Sequence, residues 1–468
     1  MGVRYESKTG VPKEASSNQL LEDGCAASHV GVQTMTARHV TFASRDHCAV
    51  LAVVTAIAVT LLTLLLSADD KSPPFTAEME NSAERTGVTF YRNAQGDVEG
   101  LSYSGSADWL LNSQDNSSRW ERFHHLAVVL LEATDITAPM MEYVASLMPV
   151  RSLVIWECVL PGEALAPLAK MKNLESLELA NNGFAGSKVL PEHWRFLSEL
   201  KSLRSLDLHD LDLEKAELTF PSHCRVEHVN LSAVSEGTAR ILRTWTSLES
   251  ASFRNIQAPS VLLESLRRHR NLKTLFLDSV DLETADFANL AELREVHHLR
   301  LRVKSLRSVE FLSTMNELEE LTLQYDTAEE LLKNHDRKPL KRIKKLDVVT
   351  KDSQGIAAIR HVLQSPTLET LSCIATFAQP ESLESLWRHP SLKEVRLGAV
   401  LKAEDLPILA SMPELKVLVV MNPRGTEWFK DVVTALPKVQ IFSAAKKGEG
   451  GDGATLYLGE QLPLHSHK

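Results

Sequence analysis

Asp207, His209 and Ser232 supply a carboxylate, an imidazole and a hydroxyl, the three groups of a hydrolytic relay. Asp207 and His209 stand two residues apart. On an extended strand they share a face about 7 Å apart and cannot hydrogen-bond without bending towards each other. Ser232 would sit beside His209 on the next strand. No nucleophile elbow or oxyanion signature accompanies them, so a hydrolase using Asp207, His209 and Ser232 stays only as an alternative. His124-His125 and His297-His298 have no third ligand at metal spacing, and adjacent strand residues point to opposite faces; no metal site is expected. Six cations lie between Arg337 and Lys345, a run that would attract phosphate, anionic glycan or lipid head groups. Glu317, Glu319 and Glu320 also allow it to be a solvated edge. No P-loop or CxxC motif occurs, and no cofactor is expected.

What positions these residues is a repeat. Fifteen times the chain writes apolar, two residues, apolar, one residue, apolar, with openings from Val98 and Leu126 through Leu174, Leu203 and Leu272 to Val439. Leu174-Glu-Ser-Leu177-Glu-Leu179 and Leu272-Lys-Thr-Leu275-Phe-Leu277 are clear copies; the last would turn Phe442 inward. Openings recur every 22 to 29 residues, the period of a solenoid. Apolar residues two apart place one face of a short strand in the core. A polar turn follows, then apolar residues three and four apart that predict a helix, as in Val261–Leu266, Phe287–Leu293, Ile356–Leu363 and Leu406–Met412. One strand and a short helix cannot close a core alone. Stacked, they give a parallel sheet backed by helices, with strands about 4.8 Å apart and an inner arc of roughly 70 Å.

Through these phrases the chain resembles the leucine-rich-repeat family over about three quarters of its length. Asn182-Gly-Phe184 fits the family's extension of the phrase, and Cys158-Val-Leu160 fits it as in ribonuclease-inhibitor-like repeats. Thr134, Val234, Ile256 and Val280 stand where the family has asparagine, which predicts that its asparagine ladder is almost absent. The resemblance implies an α/β solenoid, its curved parallel sheet on the concave side and its helices on the convex side.

Residues between the buried positions then face the concave surface. Leu130, Val154 and Trp156 form an apolar zone near the N-terminal end. Asp207, His209, Arg254, Phe276, Asp278, Arg300 and Arg302 form a charged centre. Ile374, Val419 and Met421 make a second apolar zone. Glu178, Ala180 and Ser232 are also expected outward. An aromatic flanked by Arg and Asp suits a protein contact.

Residues 1–47 read as a disordered tail. Residues 48–68 carry no charge over a length of about 30 Å, which predicts a transmembrane helix or signal anchor. Arg38 and Arg45 before it, and Asp69 and Asp70 after it, place the N-terminus in the cytoplasm and the repeats outside. Cleavage after Ala68, or a start at Met35, would make it an export signal instead. Residues 69–86 read as a linker, 87–445 as the solenoid and 446–468 as a flexible tail with a short strand at Thr455–Leu458. Val88–Tyr91 and Val98–Tyr103 should form a hairpin over the first sheet edge.

A net charge of −10 argues against general nucleic-acid binding. Cys158, Cys224 and Cys373 lie in units too distant to bridge. Asn116 and Asn230 head glycosylation sequons that chance explains. The expectation is a membrane-anchored, non-enzymatic scaffold whose concave face takes a protein or peptide, with a cell-surface glycan as a further candidate. A soluble intracellular adaptor is the other alternative.

Overall fold

The computed structural model describes residues 87–105, 125–147, 149–180, 182, 190–209, 211, 218, 220, 225–328, 340–350, 360–375, 386–398, 403–420 and 427–443. The tails, the 48–68 run, the linker, and Cys224, Met421, Arg337 and Thr455–Leu458 lie outside them. Among the described residues no helix is long and apolar enough to cross a membrane.

Strands follow chain order through one 16-stranded sheet. They are β1 (Val88–Arg92), β2 (Val98–Tyr103), β3 (Val128–Glu132), β4 (Ser152–Trp156), β5 (Ser176–Ala180), β6 (Ser205–Leu208), β7 (His228–Ser232) and β8 (Ser250–Arg254). Then come β9 (Thr274–Val280), β10 (His298–Ser305), β11 (Glu320–Thr327), β12 (Lys345–Thr350), β13 (Thr370–Ala375), β14 (Glu394–Leu397), β15 (Val417–Val420) and β16 (Gln440–Ser443). β1 and β2 form the expected antiparallel hairpin, and every later pairing is parallel. Phrase positions coincide with register: Leu177 pairs with Leu206, Leu275 with Leu299, and Leu323 with Val348. These side chains are buried in one core. The chain is an α/β leucine-rich-repeat solenoid.

One phrase is misaligned. Ile441, not Phe442, pairs with Leu418 and is buried, so the last repeat sits one residue from the expected register and Phe442 turns outward. A one-residue slip exchanges the two faces of a strand, and burial of Ile441 decides which face wins.

Behind the sheet run α1 (Ala138–Ser146), α2 (Glu236–Leu242), α3 (Pro259–Leu266), α4 (Thr284–Leu290), α5 (Arg360–Leu363), α6 (Leu406–Ala410) and α7 (Glu427–Ala435). The hydroxyls of Thr137 and Ser235 accept from the Met140 and Thr238 amides and so cap α1 and α2. Several repeats use 3₁₀ turns instead, at Gly162–Lys170, Pro191–Glu199 and Glu310–Thr314. Pro167 denies an α-helix one amide, and Leu165/Leu168 and Trp194/Leu197 are spaced three apart, which a 3₁₀ turn stacks on one side.

The turns after the strands show what stands in for the missing asparagines. Asn182 Nδ2 donates to the Ile155 carbonyl at 2.8 Å, and its Oδ1 accepts from the Cys158 amide at 2.9 Å. Cys158 Sγ reaches the Leu131 carbonyl at 3.4 Å, and the Thr134 hydroxyl donates to the Gly105 carbonyl. Three different side chains therefore do the asparagine's work in succession. A backbone bond at the preceding residue recurs whether the position is polar, as at Thr134, or apolar, as at Val234 and Ile256: the Ala133 amide donates to Trp156 O at 3.0 Å, the Ala233 amide to Arg254 O at 2.9 Å and the Asn255 amide to Asp278 O at 3.1 Å. The turn residues Ala133, Glu157, Ala233, Asn255 and Ser279 adopt φ between 47° and 54° without being glycine.

A second ladder runs along the entry to the strands. Arg151 pairs with Glu175 at 3.3 Å, Arg204 with Glu227 at 2.8 Å, Lys344 with Glu319 at 2.7 Å and Lys393 with Glu369 at 2.9 Å. Arg342 meets Glu317, so the described part of the basic run is an edge balanced by carboxylates. Exposed pairs of this kind contribute about 0–1 kcal/mol each and do not decide the fold.

Candidate binding face

Alternation along each strand leaves one sheet face that, among the described residues, is turned away from the buried core. Register stacks its middle row as Leu130, Val154, Glu178, Asp207, Asn230, Ser252, Phe276, Arg300, Thr322 and Asp347. Leu130 and Val154 are half-buried neighbours, and Trp156 lies between Glu132 and Ala180. The apolar zone expected from the sequence is therefore contiguous. Ala180 and Ser232 were expected to be exposed but are buried: each is a small side chain at a strand end, flanked in register by Trp156 and Arg254 respectively.

The charged centre divides in two. In the first group β6 stops at Leu208, and His209 turns back on Asp207. The His209 amide donates to Asp207 Oδ1 at 3.0 Å, and His209 Nδ1 lies 2.6 Å from the same oxygen. The two side chains do bond, against the strand-geometry expectation, because the chain leaves the strand between them; a carboxylate capping an amide two residues on is an Asx turn. Asp207 Oδ2 accepts from Asn230 Nδ2 at 3.0 Å, which also occupies the amide of that sequon. Glu178 stands beside Asp207 on β5. Burial first, and then the Asp207 charge, push its carboxyl up to about 7, while His209 pulls the other way.

The second group centres on Asp278. Arg254 Nε lies 3.5 Å from its Oδ2 and an Arg302 nitrogen 3.3 Å from its Oδ1, while the Ser279 hydroxyl donates at 3.0 Å. Phe276 and Arg300 are half-buried and adjacent in register. The face thus has an apolar and acidic part over β3–β7 and an aromatic and basic part over β8–β10.

Sequence reasoning left Glu178 and Asn230 out of the site. Their signal appears only when phrases are laid on each other: Glu178 and Asp207 are 29 residues apart in sequence but neighbours in register. Asp207–His209 is a genuine dyad. Ser232, however, is only 3% exposed, whereas a nucleophile must meet a substrate carbonyl. Among the described residues no group of three or more His, Cys, Asp or Glu could hold a metal ion. Cys158 and Cys373 are free and buried, and burial pushes the Cys373 thiol up to about 12.

No protein-family model and no curated protein matches the sequence. Among solved structures the chain is similar to an internalin from Listeria monocytogenes, at 14% identity and TM-score 0.36, over 70% of this chain and 82% of that one. It is similar to a leucine-rich-repeat protein of Leptospira interrogans, at 16% identity and TM-score 0.38, over 74% and 89%. It is also similar to a chain of the mouse RP105/MD-1 complex, at 14% identity and TM-score 0.40, over 75% and 66%. The leucine-rich-repeat architecture rests on this chain's own stacked strands and their continuous register.

Proposed function

We propose that this chain is a non-enzymatic scaffold that binds a protein partner on the outward face of β3–β10. One observation carries the reading. Trp156 and Phe276 are half-exposed on strands whose backbone groups are already used in the ladder, and Arg254, Asp278, Arg300 and Arg302 surround the second of them. Aromatics and arginines held this way contribute contact area at little ordering cost, as binding hot spots do. We place this face outside the cytoplasm, with residues 48–68 as the anchor. The uncharged run and its flanking arginines support that placement.

The test is capture of the natural partner by the full chain, repeated with Trp156→Ala and Arg300→Glu. The reading expects at least a tenfold loss in one or both. Unchanged capture in both moves the site off this face. Carbonate extraction of membranes tests the anchor: the chain should stay in the pellet, and release to the supernatant would favour the soluble adaptor.

A further inference from the structure

On β10 direction and chemistry alternate together. Leu299, Leu301 and Val303 are buried, while His298, Arg300, Arg302 and Lys304 occupy the outward positions. Residues two apart on a strand stand about 6.6 Å from each other, so Arg300, Arg302 and Lys304 form a row of cationic side chains at one spacing, with the His298 imidazole at its head. Its neighbours confine it. On β9 lie Phe276, opposite Arg300, and Asp278, which pairs with Arg302. On β11 lie Glu320, 3.8 Å from His298, and Asp326. Further along the face, the outward positions of β3–β7 hold Glu132, Glu178 and Asp207 and no lysine or arginine.

We propose that the β10 row receives an extended acidic segment of the protein partner, with carboxylates at alternate residues. This deepens the function proposed above and rests on it. An extended peptide repeats its side chains every two residues at the same spacing as the row, so its carboxylates can meet Arg300, Lys304 and, between them, Arg302, which they would share with Asp278. The row itself lies on one strand, with Asp278, Glu320 and Asp326 on the strands beside it and Arg254 and Lys345 beyond those carboxylates. It fits a single chain, whereas a nucleic-acid duplex or an anionic membrane would overlap Glu320, Asp326 and Asp207. Phe276 beside Arg300 offers an apolar contact to the side chain between two carboxylates. The net charge of −10 further opposes a long polyanion.

The test is fluorescence anisotropy at low salt with the full chain and two labelled peptides of equal composition, one alternating Glu and Ser, the other with the same residues in blocks. The alternating peptide should bind at least fivefold tighter. Arg300→Ser with Lys304→Ser should weaken it at least tenfold, and Lys344→Ser with Lys393→Ser, an equal charge change at the strand entries, should not. Equal binding of both peptides, equal loss in both double variants, or tighter binding of a sulfated glycan or single-stranded oligonucleotide through Arg300 and Lys304 would overturn the proposal. Partner capture separates the two levels. If Trp156→Ala abolishes it and the Arg300/Lys304 variant does not, the row fails and the face stands; if neither changes capture, both fall.

Discussion

Replacing Glu178 by Gln should raise stability at high pH and not at low pH. The carboxyl sits near 7 in the folded chain against an ordinary 4.5, because burial and the Asp207 charge disfavour ionisation. The folded state therefore holds this proton more tightly than the unfolded state. Stability linked to it is intact below the ordinary carboxylate range and declines as pH rises through 4.5 to 7. Fully ionised, the group costs about 3 kcal/mol, and between roughly pH 5 and pH 8 the loss is about 2.5 kcal/mol. Glutamine keeps the shape and cannot ionise. Urea unfolding of both proteins at these two pH values gives the magnitude, and any pH-independent effect of the substitution cancels in the difference. Because repeats contribute stability locally, hydrogen exchange of β5 and β6 amides should show the same trend. A stability gap between the proteins that stays constant from about pH 5 to about pH 8 would refute the reasoning.

Other consequences concern the turns and the core. Asn182→Ala leaves the Cys158 amide and the Ile155 carbonyl without their buried partner, and should cost about 2–4 kcal/mol. The exchange rates of amides from Trp156 to Asn182 would report it, and unchanged rates would mean that water replaces the side chain. Ala233→Gly relieves a left-handed residue at φ 52° and should stabilise the chain by about 0.5 kcal/mol after the unfolded-state entropy of glycine is counted. A lower urea midpoint would contradict that. Cys158 and Cys373 should resist iodoacetamide at neutral pH until urea is added, since burial raises both thiols. Rapid native labelling of either peptide, seen by mass spectrometry, would show that its repeat opens.

The sheet was legible because its code is local and redundant. Leu275 and Leu277 declare a strand face by themselves, and the same phrase recurs often enough to set register without knowledge of the turns. Val439 shows where that code weakens: at the end of the described array, Val439, Ile441 and Phe442 offer two apolar frames, and only pairing with Leu418 chooses between them. The turns were less legible. Nothing in Ala133, Glu157 or Ala233 announces a left-handed backbone, and Thr134 and Cys158 replace asparagine with other chemistry for the same task. Alternation alone brings Trp156 and Phe276 outward, so their placement on one sheet face is legible in the phrases. The Asp207–His209 contact depends on where β6 stops, and the Glu178–Asp207 pair on register across a long repeat. Neither is written within one phrase.

The binding face is tested most directly by hydroxyl-radical footprinting of the full chain, free and with its captured partner. Trp156 and Phe276 on the sheet should lose reactivity in the complex, while Trp387 and Val433, exposed but not on these strands, should keep theirs. Protection of Trp387 and Val433 with Trp156 and Phe276 unchanged would contradict the account.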